Sequence, residues 1–329
     1  MIEAARPGRV VRGALAAAFL GAAAIGMAGV LRGHARETID LFSRSGAPLY
    51  LVPAVAASTA GLLFAMDAWR SLLAALGSPL GFRTGARIFF VSLLGSYVPG
   101  PMLGAAANVH LGRRAGVPVR RMVAAYLLNA VIVTLSAATV GLLAAPHILG
   151  TRALWLAPLP VVAVAVACRP DFIIAIANRA ARLLRRDPVA ERAAPAGLRA
   201  AVWKDTAGWL IGGVHLWLIA VVLGARPAAA LPVCVGAFAL ATAAGTAVLV
   251  LPDGAGVREL VATAALATVL PWPQAAAAAL ASRACVVVAE ALALSGVLLL
   301  GRRTAENGSD GRNPDETPRI GVAPCGPHG

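Results

Sequence analysis

The chain has 329 residues, of which 59% are hydrophobic and only 13% charged, whereas a soluble domain carries about 25% charged residues. This composition excludes an ordinary soluble enzyme and predicts a protein embedded in a membrane. The formal net charge is +14, but the basic residues flank apolar runs, as expected where loops face anionic lipid headgroups. We therefore predict membrane lipids as partners and no binding of nucleic acid.

Apolar segments follow one another along most of the chain. A bilayer core of about 30 Å needs a helix of roughly 20 apolar residues, and backbone groups inside lipid must bond one another. The predicted fold is therefore an all-α integral membrane protein with about six to eight transmembrane helices. We expect the first segment to be a retained helix, because it is longer than the apolar core of a signal peptide. The segments are 11–31, 48–77, 86–98, 100–112, 120–145, 152–168, 204–223, 229–251, 256–270 and 274–300.

Proline and glycine break two pairs of these segments. Pro99-Gly100-Pro101 interrupts the first pair, and Pro252-Asp253-Gly254-Ala255-Gly256 interrupts the second. In the first pair each arm has about 13 residues and so extends only about 20 Å, too short to span comfortably. We favour two re-entrant hairpins added to six spanning helices. The alternative counts each broken pair as a full crossing, giving eight helices, or makes 229–251 a spanning helix of its own.

The breaks recur at similar places in the two halves of the chain. Asn129 lies 30 residues after Pro99, and Arg283 lies 31 residues after Pro252. If each broken pair is a hairpin, most basic residues fall on one face of the membrane, as the positive-inside rule requires. One hairpin then enters from each face, which is an inverted repeat of the kind found in transporters.

The same topology predicts the domain organisation and the location. Residues 1–301 form one polytopic membrane domain, with 169–203 as a basic cytoplasmic loop between the halves. The loop either carries an amphipathic helix on the membrane surface or is a plain connection. Residues 302–329 form a disordered cytoplasmic tail. The protein is predicted to lie in the plasma membrane with both termini in the cytoplasm.

The second break carries the strongest candidate site. Gly254 and Gly256 precede a helix start, whose free N–H groups and dipole attract an anion such as phosphate. Arg258 can bind a phosphate in bidentate fashion, and Glu259 can hold Arg258 or Arg283 in place. The alternative is that Arg258 and Glu259 only pair with each other.

Other polar residues give weaker indications. Asp67 and Arg70 are spaced to form an ion pair on one helix face. Arg283 and Glu290 share a face of the last helix, and either structural pairing or substrate contact explains Arg283. Arg113 and Arg114 are candidate headgroup contacts. His110, Asn108 and Asn129 are further polar positions in or beside apolar segments.

Motifs of soluble catalysis are missing from the sequence. It contains no P-loop, nucleophile elbow, HExxH or dinucleotide fingerprint, and its four cysteines have no partner at metal-ligand spacing. We therefore predict no enzyme activity, no cofactor and no metal.

The two breaks resemble signatures of a known family. Ser96-Tyr-Val-Pro-Gly100, followed by Leu111-Gly-Arg-Arg-Ala-Gly-Val117, is similar to the first signature of the lysylphosphatidylglycerol synthase transmembrane-domain family. Leu251-Pro-Asp-Gly-Ala-Gly-Val-Arg-Glu259 resembles the second signature, which an arginine of the last helix follows, here Arg283. The sequence departs from the pattern at Asp253, at Ala105–Asn108 and at Asn129, where many members have glycine or charged residues.

The resemblance implies a membrane domain that translocates lipids. It does not extend to an aminoacyl-transfer domain, so lipid aminoacylation is not inferred. The leading hypothesis is a flippase-like translocator for an anionic phospholipid or a polyprenyl-phosphate-linked glycolipid, with Pro99, Gly100, Pro101, Pro252 and Asp253 forming the gates. The alternative is a non-transporting scaffold for an enzyme of envelope lipid or glycan synthesis, which would be its partner. A small-solute transporter and a membrane-embedded enzyme fit less well, and the sequence predicts no oligomeric state.

Overall fold

The computed structural model describes residues 46–95, 103–156, 194–247 and 254–309, with a few isolated positions besides. Several predictions fall outside these residues. They are the predicted first helix at 11–31, most of 152–168 and of the predicted loop 169–193, the end of the predicted tail, and the predicted gate residues Pro99, Gly100, Pro101, Pro252 and Asp253.

The described ranges are built from α-helices joined by short links, with two 3-10 turns at Leu142–Ala144 and Gly150–Leu156. Five stretches are long and apolar enough to cross a membrane: Ala47–Ala75, Val119–Arg152, Pro195–Val222, Pro227–Thr246 and Trp272–Leu299. This confirms an all-α, multi-pass membrane protein. The helices are α1 Ala47–Ala75, α2 Phe82–Leu94, α3 Leu103–Arg114, α4 Val119–Gly141, α5 Ala145–Leu149, α6 Pro195–Val222, α7 Pro227–Ala247, α8 Val257–Leu266 and α9 Trp272–Ser309.

Proline and glycine set the ends of the two longest central helices. Proline stands in the first turn of both α1 and α6, where its missing N–H costs no hydrogen bond. Each helix is followed by a glycine with positive φ, +78° at Gly77 and +97° at Gly224. The residue after each glycine donates its N–H to a carbonyl five residues earlier, at 2.9 Å. These are Schellman caps, and glycine fits them because it has no Cβ.

Two helix boundaries differ from the sequence prediction. Helix α6 begins at Pro195 rather than at 204, so the end of the predicted loop 169–203 is helical. Lys204 and Asp205, which the sequence placed at the start of the helix, both have partners on neighbouring helices. Helix α9 continues to Ser309, which places the start of the predicted tail in a helix.

Helices α1 and α6 form the most extensive pair in the described structure. They run antiparallel, because Gly197 at the start of α6 faces Ala75 at the end of α1, while Gly212 faces Gly61 further along. A Cβ placed on Gly61 would lie 2.7 Å from Gly212 Cα and 2.8 Å from the Gly208 carbonyl oxygen. Glycines at a helix crossing let the two backbones approach closely, which is how helices associate in lipid.

The packing of the remaining helices repeats between the two halves. Helices α1 to α4 correspond in order to α6 to α9. Each main contact among α1 to α4 and α6 to α9 has a counterpart when every helix is replaced by the one that corresponds to it. For example, α9 packs on α1 and α2, and α4 packs on α6 and α7. Because the equivalent helices α1 and α6 are antiparallel, the repeat is inverted, as the sequence predicted.

Each broken pair folds back as a hairpin. The start of α7 and the loop after α8 share one apolar cluster with the end of α6, through Ala230, Leu270 and Leu223. The residues just before α2 and the end of α3 share another with the end of α1, through Leu80, Leu111 and Leu73. The ends of α1 and α6 lie at opposite ends of their antiparallel pair. The hairpins therefore enter from opposite sides, which favours a hairpin over a full crossing for each broken pair, although α7 alone is long and apolar enough to cross a membrane.

A pair of glycines brings the two arms of each hairpin together near its tip. Gly95 and Gly104 lie so close that a Cβ on Gly95 would be 2.8 Å from Gly104 Cα, and Gly245 and Gly254 approach at least as closely. Both pairs are separated by the same interval of nine residues. This equal spacing is a second sign of the repeat.

The glycine crossing predicts that Gly61→Ala destabilises the protein. The added methyl meets backbone atoms of α6 that cannot move aside, so we expect a loss of about 1–3 kcal/mol, the usual cost of overpacking. Gly296→Ala on α9 is the matched control, because nothing lies within 4 Å of its Cβ position. Thermal unfolding in detergent should show a lower midpoint for the first variant only. Equal midpoints would contradict a tight crossing.

Candidate functional site

A small cavity with both charged and apolar walls lies among α6, α7, α8 and α9, with a volume of about 20 Å³. The predicted residues Arg258, Glu259 and Arg283 all line it, together with Thr242 and Ser282 and several apolar side chains. The structure therefore brings together the three charged residues that the sequence placed in one site. A space of this size holds about one water molecule.

The cavity lies deep in the helix bundle. Arg283 stands 11 residues after Trp272, the first residue of α9, which corresponds to about 16 Å at 1.5 Å per residue. The core of a bilayer is about 30 Å thick, so Arg283 reaches about half its depth. Ionised side chains at such depth are expensive and usually face a partner or a polar cavity.

Glu259 ties the turn between the hairpin arms to the last helix. Its Oε2 accepts the N–H of Gly256 at 2.6 Å, and its Oε1 lies 3.9 Å from Arg283 Nε. The Gly256 N–H, predicted as part of an anion site, is thus already bonded to the protein's own carboxylate. The positive φ angles of Gly254 and Gly256, +64° and +85°, make the sharp turn that only glycine adopts easily.

Arg258 reaches across the hairpin to α7. Its Nη2 donates to Thr242 Oγ1 at 3.1 Å, and Thr242 Oγ1 in turn donates to the Phe238 carbonyl at 2.9 Å. The stem of Arg258 packs against Gly245, where any Cβ would collide with it. Gly245 therefore has two roles, close packing on Gly254 and room for Arg258.

His215, which was not predicted from the sequence, links α6 to the cavity. Its ring is completely buried. The Nδ1 atom lies 2.5 Å from the Gly212 carbonyl oxygen, and Nε2 lies 2.7 Å from Ser282 Oγ. The ring packs edge-on against Phe238 at 4.7 Å between centroids. The only feature of the sequence that points to His215 is its position as a single histidine in an apolar helix. The only feature that points to Ser282 is its position next to Arg283.

Asp205 is a second buried polar residue that was not predicted from the sequence. It is 2% exposed, and its Oδ2 accepts hydrogen bonds from Ser136 Oγ on α4 and from Trp209 Nε1, the latter at 3.0 Å. This group joins α4 to α6 rather than lining the cavity.

An ion cluster joins the end of α1 to α6. Asp67 bonds Arg70 Nη1 at 2.5 Å, as the sequence predicted, and also Lys204 Nζ at 2.6 Å. Lys204 donates to Ser71 as well, at 2.8 Å. Arg70 Nη2 donates to the Leu80 carbonyl at 2.9 Å. The cluster therefore fixes the loop that leads into the first hairpin.

The predicted headgroup contacts Arg113 and Arg114 line one open pocket with His110, with a volume of about 260 Å³ at the end of α3. All three side chains are exposed. One turn earlier, Asn108 is buried, and its Oδ1 accepts no hydrogen bond in the described structure. Asn129 is half-buried, and Glu290 is buried on α9. Within the described ranges, no group of three or more metal-ligating side chains is found.

The sequence matches the family described as lysylphosphatidylglycerol synthase TM region over residues 9–293. The chain belongs to this family. The match covers both hairpins and the cavity residues, so the inverted repeat and the cavity lie within the family's membrane region. A comparison with curated proteins finds no match.

The Glu259–Arg283 pair predicts non-additive effects on stability in this family member. Glu259→Gln and Arg283→Gln each leave a charged partner in an apolar surrounding, whereas the double variant removes both charges. We expect the double variant to be more stable than the sum of the single effects by about 0.5–3 kcal/mol. The free energies of unfolding in detergent measure this difference. The control is the double variant of Glu259→Gln with Arg226→Gln, an exposed arginine, whose effects should be additive. Additivity in both combinations would contradict the pair.

Proposed function

We propose that this protein moves a lipid across the membrane by binding the phosphate of its headgroup between Arg258 and Arg283. The observation that supports this most directly is the convergence of both arginines and Glu259 on one cavity at half the depth of the bundle. A guanidinium binds phosphate through paired N–H groups. The substrate would be an anionic phospholipid or a polyprenyl-phosphate-linked glycolipid.

The low dielectric of the site strengthens the attraction between the arginines and a bound phosphate. Two guanidinium groups and one carboxylate line the cavity, and a bound phosphate would add negative charge beside the arginines. In a water-excluded setting this attraction is much stronger than at the surface. The acyl chains need no site of their own, because they stay in lipid while the headgroup crosses.

Transport requires the cavity to widen. Its volume of about 20 Å³ is far below that of a headgroup, so the described conformation is closed at this site. Helix α8 has 10 residues and is held to α7 near the turn by Gly245 and Gly254. Movement of this hairpin away from α9 would open the cavity, and Pro252 and Asp253 would act at its tip.

The first hairpin would provide the opposite gate, with Pro99, Gly100 and Pro101 at its tip. The open pocket of His110, Arg113 and Arg114 lies at the end of this hairpin, where exposed arginines attract anionic headgroups. We propose that it collects the headgroup on the cytoplasmic side. We also propose that the membrane is the plasma membrane and that both termini lie in the cytoplasm.

Exchange of labelled lipids in proteoliposomes tests the proposal. Phosphatidylglycerol, its lysyl ester and a polyprenyl-phosphate sugar are each measured for headgroup accessibility. We expect one lipid to exchange faster than in empty vesicles, and Arg258→Ala and Arg283→Ala to slow it by at least about tenfold, or about 1.4 kcal/mol. Arg226→Ala is the control, because Arg226 is exposed and lies outside the cavity. Unchanged exchange in both cavity variants would contradict the site.

The water-sized cavity also favours a second function, that of a non-transporting scaffold for an enzyme of envelope lipid or glycan synthesis. Such a protein needs no open headgroup path. No exchange of any lipid by the wild type, together with recovery of a stoichiometric enzyme from the native membrane, would support this function over translocation.

A further inference from the structure

The hydrogen-bond pattern around His215 fixes the direction of the Ser282 hydroxyl. A carbonyl oxygen can only accept, so the Nδ1 atom that contacts the Gly212 carbonyl carries the hydrogen. A completely buried imidazolium would place another costly charge inside the membrane, so the ring is neutral. In that form Nε2 is an acceptor, and Ser282 Oγ donates its only proton to it at 2.7 Å.

The direction of the Thr242 hydroxyl is fixed in the same way. Its hydroxyl proton goes to the Phe238 carbonyl, because Arg258 Nη2 on its other side is itself a donor. Both hydroxyl oxygens therefore face the cavity as acceptors only. Glu259 adds a carboxylate, which also only accepts when ionised. The donors on the cavity wall are then the guanidinium groups.

A ligand that matches this wall needs two features. Its phosphate faces the arginines, and a hydrogen-bond donor close to the phosphate faces the oxygens of Ser282, Thr242 and Glu259. We propose that Ser282, held in place by His215, selects headgroups that carry a hydroxyl or amino hydrogen next to a phosphodiester. This inference rests on the proposed function for placing the headgroup in the cavity.

The physical basis of the selection is the cost of an unused polar group. A headgroup without a donor leaves the Ser282 oxygen desolvated and unpaired, which weakens binding. Sites that hydrogen-bond a ligand hydroxyl reject analogues that lack it more strongly than apolar pockets reject a missing methylene. His215 is a positioning residue here, because it acts only through Ser282.

Binding of two soluble short-chain lipids tests the selection separately from transport. Dihexanoyl phosphatidylglycerol and dihexanoyl phosphatidylmethanol are both singly charged phosphodiesters, but only the first has hydroxyl donors on its headgroup. Calorimetry on the full chain in detergent should give about three- to tenfold tighter binding of the glycerol lipid, the usual range for one hydrogen bond. In Ser282→Ala this preference should disappear, because phosphatidylglycerol loses its acceptor while phosphatidylmethanol no longer leaves an oxygen unpaired and so keeps or gains affinity.

Two further variants separate selection from folding. Ser282→Thr keeps a hydroxyl and should keep the preference, and Ser295→Ala changes an exposed serine of the same helix and should bind as the wild type does. Equal binding of both lipids by the wild type, or an equal loss for both in Ser282→Ala, would overturn the inference. If the protein binds the two lipids selectively but exchanges no lipid in vesicles, the inference about Ser282 would stand and the proposed translocation would be rejected.

Discussion

The glycine-lined crossing of α1 and α6 is the contact on which the rest of the structure depends. Gly61 meets Gly208 and Gly212 so closely that the two backbones touch, and lipid offers no hydrophobic driving force that could replace such packing. The ion cluster of Asp67 and Lys204 fixes the same pair nearer one end. Because the helices are antiparallel and equivalent in the repeat, this one contact sets the two halves in opposite orientations.

The two halves of the repeat carry different polar groups at equivalent positions. Each half contributes a hairpin with a glycine pair near its tip, but the charged cavity belongs to the second half alone, where Arg258 follows Gly254 by four residues. The equivalent position after Gly104 is Asn108, which is buried and uncharged. Gly212 connects the helix crossing to the cavity. Its carbonyl oxygen orients the ring of His215, and its Cα lies against Gly61.

The sequence predicted the features that depend on local chemistry. Long apolar runs predict the helices, proline and glycine predict the breaks, and charge at membrane depth singles out Arg258, Glu259 and Arg283. It did not predict His215–Ser282 or Asp205–Ser136, which join residues 67 and 69 positions apart, because those contacts depend on how each helix is rotated in the bundle. The start of α6 was predicted too late because Arg192 and Arg199 made residues up to 203 resemble one basic loop, whereas the helix begins at Pro195.

The central claim is that the two hairpins enter the membrane from opposite faces. Site-directed labelling tests it most directly, with Gly81→Cys before the first hairpin and Arg226→Cys before the second, each in a background in which the four native cysteines are replaced. Both positions are exposed. A thiol reagent that cannot cross the membrane should label only one of the two in intact cells, and the other only after permeabilisation. Labelling of both positions from the same face would contradict the inverted repeat and the account built on it.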